Sequence, residues 1–439
     1  LMDLCFEKNS QLEKSKRKYK GRVVFRGDQV KDEEGIFAVF TDQGSSSSHM
    51  ASAKFLDAIA RMPGCSGADS DADSAYTQVV LADMEDSVET WVTIPKHRRP
   101  KNWDPRITDP VCRLRLNLYG HPLAGLYWEK HCQKAIFAAG FVKVQGHECL
   151  YVHREKQLFL SVYVDDFKMA GKTSNLSTMW DTLGKNIFLD PPVPLQTNVY
   201  LGSSQTPVEV PLKELQQKFE TWKGFFQNKG GKTEPENAET ASVAQSHGQD
   251  ADHISPIFAS WKSKELDPAQ NVGSLKREGE RGKLQKEKIQ GYQYSMSGHC
   301  KQVVEKYLEL SGKDVTSLRQ VATPCMDDHM ILEEELKVKG ELSKNASRIV
   351  LKALYVARMN RPDIYWAVNT LAREVTRWTK ACDRRLHRLV SYIHWTKHWV
   401  QTCWVGDPPE DCILALYADA SFAGYLDDSK SSTGSVLCL

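Results

Sequence analysis

The stretch Ser161–Gly171, SVYVDDFKMAG, sets two adjacent carboxylates, Asp165 and Asp166, in the middle of a strand-like run. Just before it come CLYVHR, the polar triplet EKQ and LFLSVYV, a pattern that predicts a β-hairpin turning at EKQ whose second strand runs into the Asp pair. Two like charges held together are costly unless a positive charge faces them. A divalent cation meets that need, because Mg²⁺ takes hard oxygen ligands and shares its sphere between one or two carboxylates, water and substrate phosphates. A bare Asp-Asp also suits an ordinary polar turn. A two-metal site calls for a further carboxylate from another strand. GADSDADSAYTQV, Gly67–Val79, offers Asp69, Asp71 and Asp73, which share one face if the segment is extended. An acidic surface loop is the alternative for that stretch.

With 439 residues, the chain is long enough for two or three domains, and 41% hydrophobic with 26% charged residues is ordinary for a folded protein. The formal charge of +2 excludes a globally basic surface, so any attraction to nucleic acid must come from a local patch. KSKRKYKGRVVFRG, Lys14–Gly27, is such a patch, although a solvated basic face explains it as well. The cysteines show no C-x-x-C spacing, which points away from a zinc ribbon and toward reduced thiols in a cytosolic or nuclear setting. No apolar run approaches the roughly 20 residues of a membrane span, and no signal peptide is evident. The chain starts at Leu1 and stops at STGSVLCL in mid-strand, as a fragment of something longer would.

Strand-like and helix-like segments alternate up to about Leu201, the pattern of an α+β domain. RVVFRG and TWVTIP read as strands, and LAGLYWEKHCQKAIFAA, Leu123–Ala139, as an amphipathic helix closed by Gly140. From about Phe226 to Gly291 the sequence turns polar and poor in aromatics, which predicts disorder. Helical periodicity resumes at HCKQVVEKYLEL and runs through ASRIVLKALYVARMNRPDIYWAVNTLAREVTRW. From Ile413, ILALYADASFAGYLDDSKSSTGSVLCL predicts a hairpin that opens another domain.

These residues resemble the reverse transcriptases of copia-type LTR retrotransposons. Tyr163-Val164-Asp165-Asp166 matches the YVDD of that family's palm hairpin, and Asp71 with Tyr76 five residues on matches its upstream carboxylate and sugar-screening aromatic. LYGHPLAGLYW, KGRVVFRG, YLG and RPDIYWAVNTLAR follow the family's order, and YADASFAGYLDDSKSSTGSVL resembles the start of its ribonuclease H domain, with Asp419 as first metal ligand. The resemblance implies a right-hand polymerase with an antiparallel palm sheet. Fingers and palm would span 1–205, a thumb-like start 206–225, the polar insert 226–291, thumb and connection helices 292–410, and a truncated ribonuclease H-like domain 411–439.

The implied activity is RNA-directed DNA synthesis with two Mg²⁺ ions, for which Mn²⁺ can substitute. Asp71, Asp165 and Asp166 would be the catalytic metal ligands, Tyr76 would reject the 2′-hydroxyl, and Arg22 and Arg26 would neutralise the dNTP triphosphate. Implied partners are an RNA template with a DNA primer, together with protease and integrase parts of a polyprotein that acts in DNA integration. No membrane is involved, and the setting would be a cytoplasmic virus-like particle, the nucleus, or both. Two departures favour an inactive relic that still binds nucleic acid. Leu123 stands where the family has a Gln that seats the nucleotide, and the insert interrupts the path to the thumb. The ribonuclease H part ends before its other acidic ligands, so no such activity is expected of this chain.

Overall fold

The structure is a computed structural model that describes residues 1–8, 14–38, 48–85, 87–104, 106–195, 199–200, 202–214, 216–217, 220–221, 288–405, 412–421 and 431–438. Most of the insert expected to be disordered, 226–287, lies outside the described residues. The chain divides into two compact units, Leu1–Pro207 with Tyr292–Cys403, and Val208–Gly291 with Trp404–Leu439.

The first unit opens with a two-stranded ribbon, β1 (Met2–Lys8) and β2 (Lys18–Val24), paired antiparallel from Met2↔Val24 to Lys8↔Lys18. Within it Arg17 reaches Glu7 at 3.5 Å, so the basic patch has some compensating acid. The helix α1 (Met50–Ile59) leads into β3 (Cys65–Asp71), and a small pair follows, β4 (Trp91–Thr93) with β5 (Val111–Arg113). After α2 (Ala124–Ala138) come β6 (Val142–Lys143), β7 (Leu150–His153), β8 (Leu158–Tyr163), β9 (Asp166–Lys172), α3 (Thr173–Leu183) and β10 (Val193–Pro194). The central sheet has the order β10-β3-β9-β8-β7-β6, antiparallel throughout. The expected hairpin is therefore β7–β8, and the Asp pair follows it at the turn into β9, which stands in the middle of the sheet beside β3.

Strand alternation sorts side chains onto two faces. Leu160, Val162, Phe167 and Met169 pack with Trp128, Cys132 and Ile136 of α2 and Leu176, Met179 and Trp180 of α3. The opposite face carries Ala170, which packs with Leu56 of α1, Leu150 and Leu195. Ser161 and Lys168, ladder partners in β8 and β9, lie on that second face and are also buried.

A second sheet has the order β11 (Val199–Tyr200), β12 (Ser203–Pro211), β13 (Lys288–Ser295) and β14 (Gln401–Val405). The helices α4 (Ser297–Ser311), α5 (Glu333–Lys337), α6 (Ala346–Asn360), α7 (Tyr365–Arg373) and α8 (Lys380–Thr396) complete the first unit. Val303 and Tyr307, Ile349 and Ala353, Val368 and Leu371, and Leu386, Leu389 and Ile393 recur at helical spacing and form their shared core. The helical run expected through RPDIYW is broken: α6 ends at Asn360, because Pro362 disfavours helical geometry at Arg361 and offers no N–H. Gly312, at φ 66°, ends α4 in the left-handed conformation.

In the second unit β15 (Ala415–Ser421) and β16 (Ser432–Cys438) form the expected hairpin, paired from Ala415↔Cys438 to Ser421↔Ser432. Among the described residues no helix is long and apolar enough to cross a membrane.

Candidate active site

The β8–β9 turn holds Val164 and Asp165 between the ladder pair Tyr163↔Asp166. Val164 sits at φ 59°, a left-handed conformation that a β-branched residue adopts only under constraint. Two contacts supply that constraint. The indole Nε1 of Trp128 donates to the Val164 carbonyl at 2.6 Å, and the amide of Ala72 donates to the Asp165 carbonyl at 2.7 Å. The second bond ties the turn to the end of β3.

On the other side of β9, Asp71 is the direct ladder partner of Asp166. Asp71 and Asp166, on neighbouring strands, and Asp165, in the adjoining turn, are thus brought together. Burial pushes the Asp166 carboxyl up from its ordinary 3.8 to about 8, with the charges of Asp165 and Asp71, a hydrogen bond to Asp71, and the charge of Asp69 adding to the effect. Of the expected row Asp69, Asp71 and Asp73, only the first two share a face of β3. Asp69 is buried beside Lys168, and Asp73 lies beyond the strand, exposed, with Ser74 Oγ donating to it at 3.1 Å. The chain turns there because the Asp73 amide bonds the Phe188 carbonyl and Gln78 spans back to the Asp73 carbonyl at 2.7 Å.

That turn presents Tyr76, whose ring lies 4.6 Å from the ring of Tyr119. The Arg22 guanidinium stands 4.7 Å from the Tyr119 ring centre and 5.2 Å from that of Phe6. Burial raises the Tyr119 hydroxyl pKa, the charge of Asp165 raises it further, and Arg22 opposes both. Tyr119 thus feels the charge of Asp165, with Tyr76 and Arg22 against its ring. Close backbone packing holds them: the Phe25 amide bonds the Tyr119 carbonyl at 2.7 Å, and a Cβ on Gly120 would meet the Phe25 oxygen at 2.2 Å. Arg26 is placed otherwise. It is exposed and engaged by Asp28 at 3.0 Å, a bond that holds the Asp28 carboxyl below its usual range. Leu123 caps α2 and packs against the sheet core. Asp419 lies exposed in β15 opposite Gly434, and its carboxylate accepts from the Ala420 amide at 2.9 Å.

Sequence reasoning passed over Tyr119, Lys168 and Asp57. Tyr119 lies within the quoted LYG stretch, and Lys168 is a charge inside an otherwise apolar strand, which was the available signal. The position of Asp57, reached by Lys168 at 2.8 Å, had no local signal at all.

Chemically, Asp71, Asp165 and Asp166 are an oxygen-only donor set whose mutual repulsion a hard divalent cation would relieve. Among the described residues no group of three or more His, Cys, Asp or Glu is placed so that it could hold a metal ion by itself. No curated protein and no solved structure matches the chain. Residues 4–188, which contain Arg22, Asp71, Tyr76, Tyr119 and the Asp165–Asp166 pair, match the family model described as reverse transcriptase (RNA-dependent DNA polymerase).

Proposed function

We propose that the chain is an RNA-directed DNA polymerase of the copia retrotransposon type, extending a DNA primer on an RNA template with dNTPs. The observation that carries this is the pairing of Asp71 with Asp166 across β3 and β9, with Asp165 in the adjoining turn. Asp71 and Asp165 hold the metal, and Asp166 supports them. Two Mg²⁺ ions, when bound, supply stabilisation of the attacking and leaving oxygens in nucleotidyl transfer. Around them, the residues of the chain orient the substrates. Tyr76, kept in place against Tyr119, walls off the position of the sugar 2′-hydroxyl. Arg22, on the same side, faces the triphosphate, and Arg26 joins it only by leaving Asp28. The exposed lysines of β2 attract template and primer backbones.

By the same reading the chain belongs with protease and integrase parts of a polyprotein, in a virus-like particle or the nucleus. Asp419 carries no ribonuclease H step without further acidic ligands. A second reading, an inactive palm that binds nucleic acid, is favoured by one feature: an apolar, half-buried Leu123 packed against the core where the resemblance calls for a Gln. Primer extension on poly(rA)/oligo(dT) with Mg²⁺ and dTTP separates the two. Template-dependent extension is expected; a folded preparation that binds the hybrid yet extends nothing establishes the inactive palm instead.

A further inference from the structure

The sheet face covered by α1 buries charge. Lys168 is fully buried, and its Nζ lies 2.8 Å from Asp57 Oδ1 and 3.9 Å from Asp69 Oδ1. Asp57 comes from the buried side of α1, and its Oδ2 accepts from the Tyr294 hydroxyl at 2.5 Å. Its backbone carbonyl accepts from Arg61 at 2.8 Å. Lys168 faces Asp69 in the ladder just as Asp166 faces Asp71 two residues away, so ammonium and carboxylate cluster share one face of the sheet. Packing alone does not ask for this. A buried ion pair is often no better for stability than apolar residues of the same volume. Here two carboxylates stand against one ammonium, directly behind three further carboxylates.

We propose that Lys168 is an internal counter-cation that sets how tightly the Asp71–Asp165–Asp166 cluster holds its divalent cation, with Asp57 fixing where the ammonium stands. The inference rests on the metal-dependent polymerase reading of that cluster. Lys168 attracts the carboxylates and repels the ion, so it permits them to converge before metal arrives and keeps the metal exchangeable once it has. At one pleat repeat, about 7 Å, and even with the full screening of bulk water, a unit charge changes the affinity for a divalent ion by about tenfold.

The test uses the full chain and Mn²⁺ alone, with free ion counted by electron paramagnetic resonance. Lys168→Met is expected to bind Mn²⁺ about tenfold more tightly. Asp57→Asn removes a negative charge but keeps an oxygen for Lys168, its amide NH2 donating to the Tyr294 hydroxyl instead, and is expected to bind it several-fold more weakly. Opposite signs are the mark of an electrostatic role. Changes in the same direction, or none, mean that the pair serves folding only and overturn the proposal. If Lys168→Met fails to fold, Asp57→Asn decides: weaker binding supports the proposal, and unchanged affinity overturns it. A parent chain that binds no Mn²⁺ overturns the metal-site reading and this inference with it, whereas a binding parent with unmoved variants overturns this inference alone.

Discussion

Asp166 carries the clearest electrostatic signature of the site. Its pKa is raised to about 8, first by burial and then by Asp165 and Asp71, so the folded protein favours its neutral form. A carboxyl raised in the folded state contributes stability that is present below its unfolded value, 3.8, and lost as pH climbs through the folded one. Without metal, thermal stability is therefore expected to fall between about pH 4 and about pH 8 through this group. Asp166→Asn should flatten that part of the profile and stabilise the metal-free protein at pH 8, as melting curves in EDTA will report. A profile unchanged by the substitution would contradict the assignment. The adjacent Asp pair was legible because two like charges in a strand-like run have few inexpensive explanations. The left-handed Val164 was not legible, since the Trp128 and Ala72 contacts that hold it come from segments far away in the chain.

Among the elements, periodicity carried most of the information. Apolar residues at three and four located α2, α4, α6 and α7, and alternation with a polar triplet located β7 and β8. Periodicity alone passed over the break at Arg361, which Pro362 causes, and it could not show where the Arg361 side chain goes. Arg361 is buried and donates to both oxygens of Asp363, to the Thr396 carbonyl at 2.9 Å and to its hydroxyl at 2.7 Å, while facing the Trp399 ring at 5.6 Å. It thereby pins the start of α7 to the end of α8. A lysine cannot reproduce a planar fork, so Arg361→Lys is expected to cost about 2–3 kcal/mol in urea unfolding. A loss below about 0.5 kcal/mol, the range of a surface substitution, would show that the fork is not needed.

For the molecule as a whole, the order of motifs was more telling than any one of them. Local pattern cannot say which strands become neighbours, and the site depends on that: β3 lies beside β9, so Asp71 meets Asp166 from 95 positions away along the chain. The ion pair beneath them was hidden for the same reason, Asp57 and Lys168 being 111 residues apart. Compactness also extends past the residues that match the family, because Tyr294 in β13 bonds Asp57 in α1. We propose that the three carboxylates act as one metal-holding unit. It is tested most directly by dTMP incorporation on poly(rA)/oligo(dT) with Mg²⁺, comparing the parent with Asp71→Asn, Asp165→Asn and Asp166→Asn. The account predicts losses of at least about a hundredfold for Asp71→Asn and Asp165→Asn and a smaller loss for Asp166→Asn, with hybrid binding kept in all three. Incorporation at the parental rate by Asp71→Asn or Asp165→Asn would contradict it.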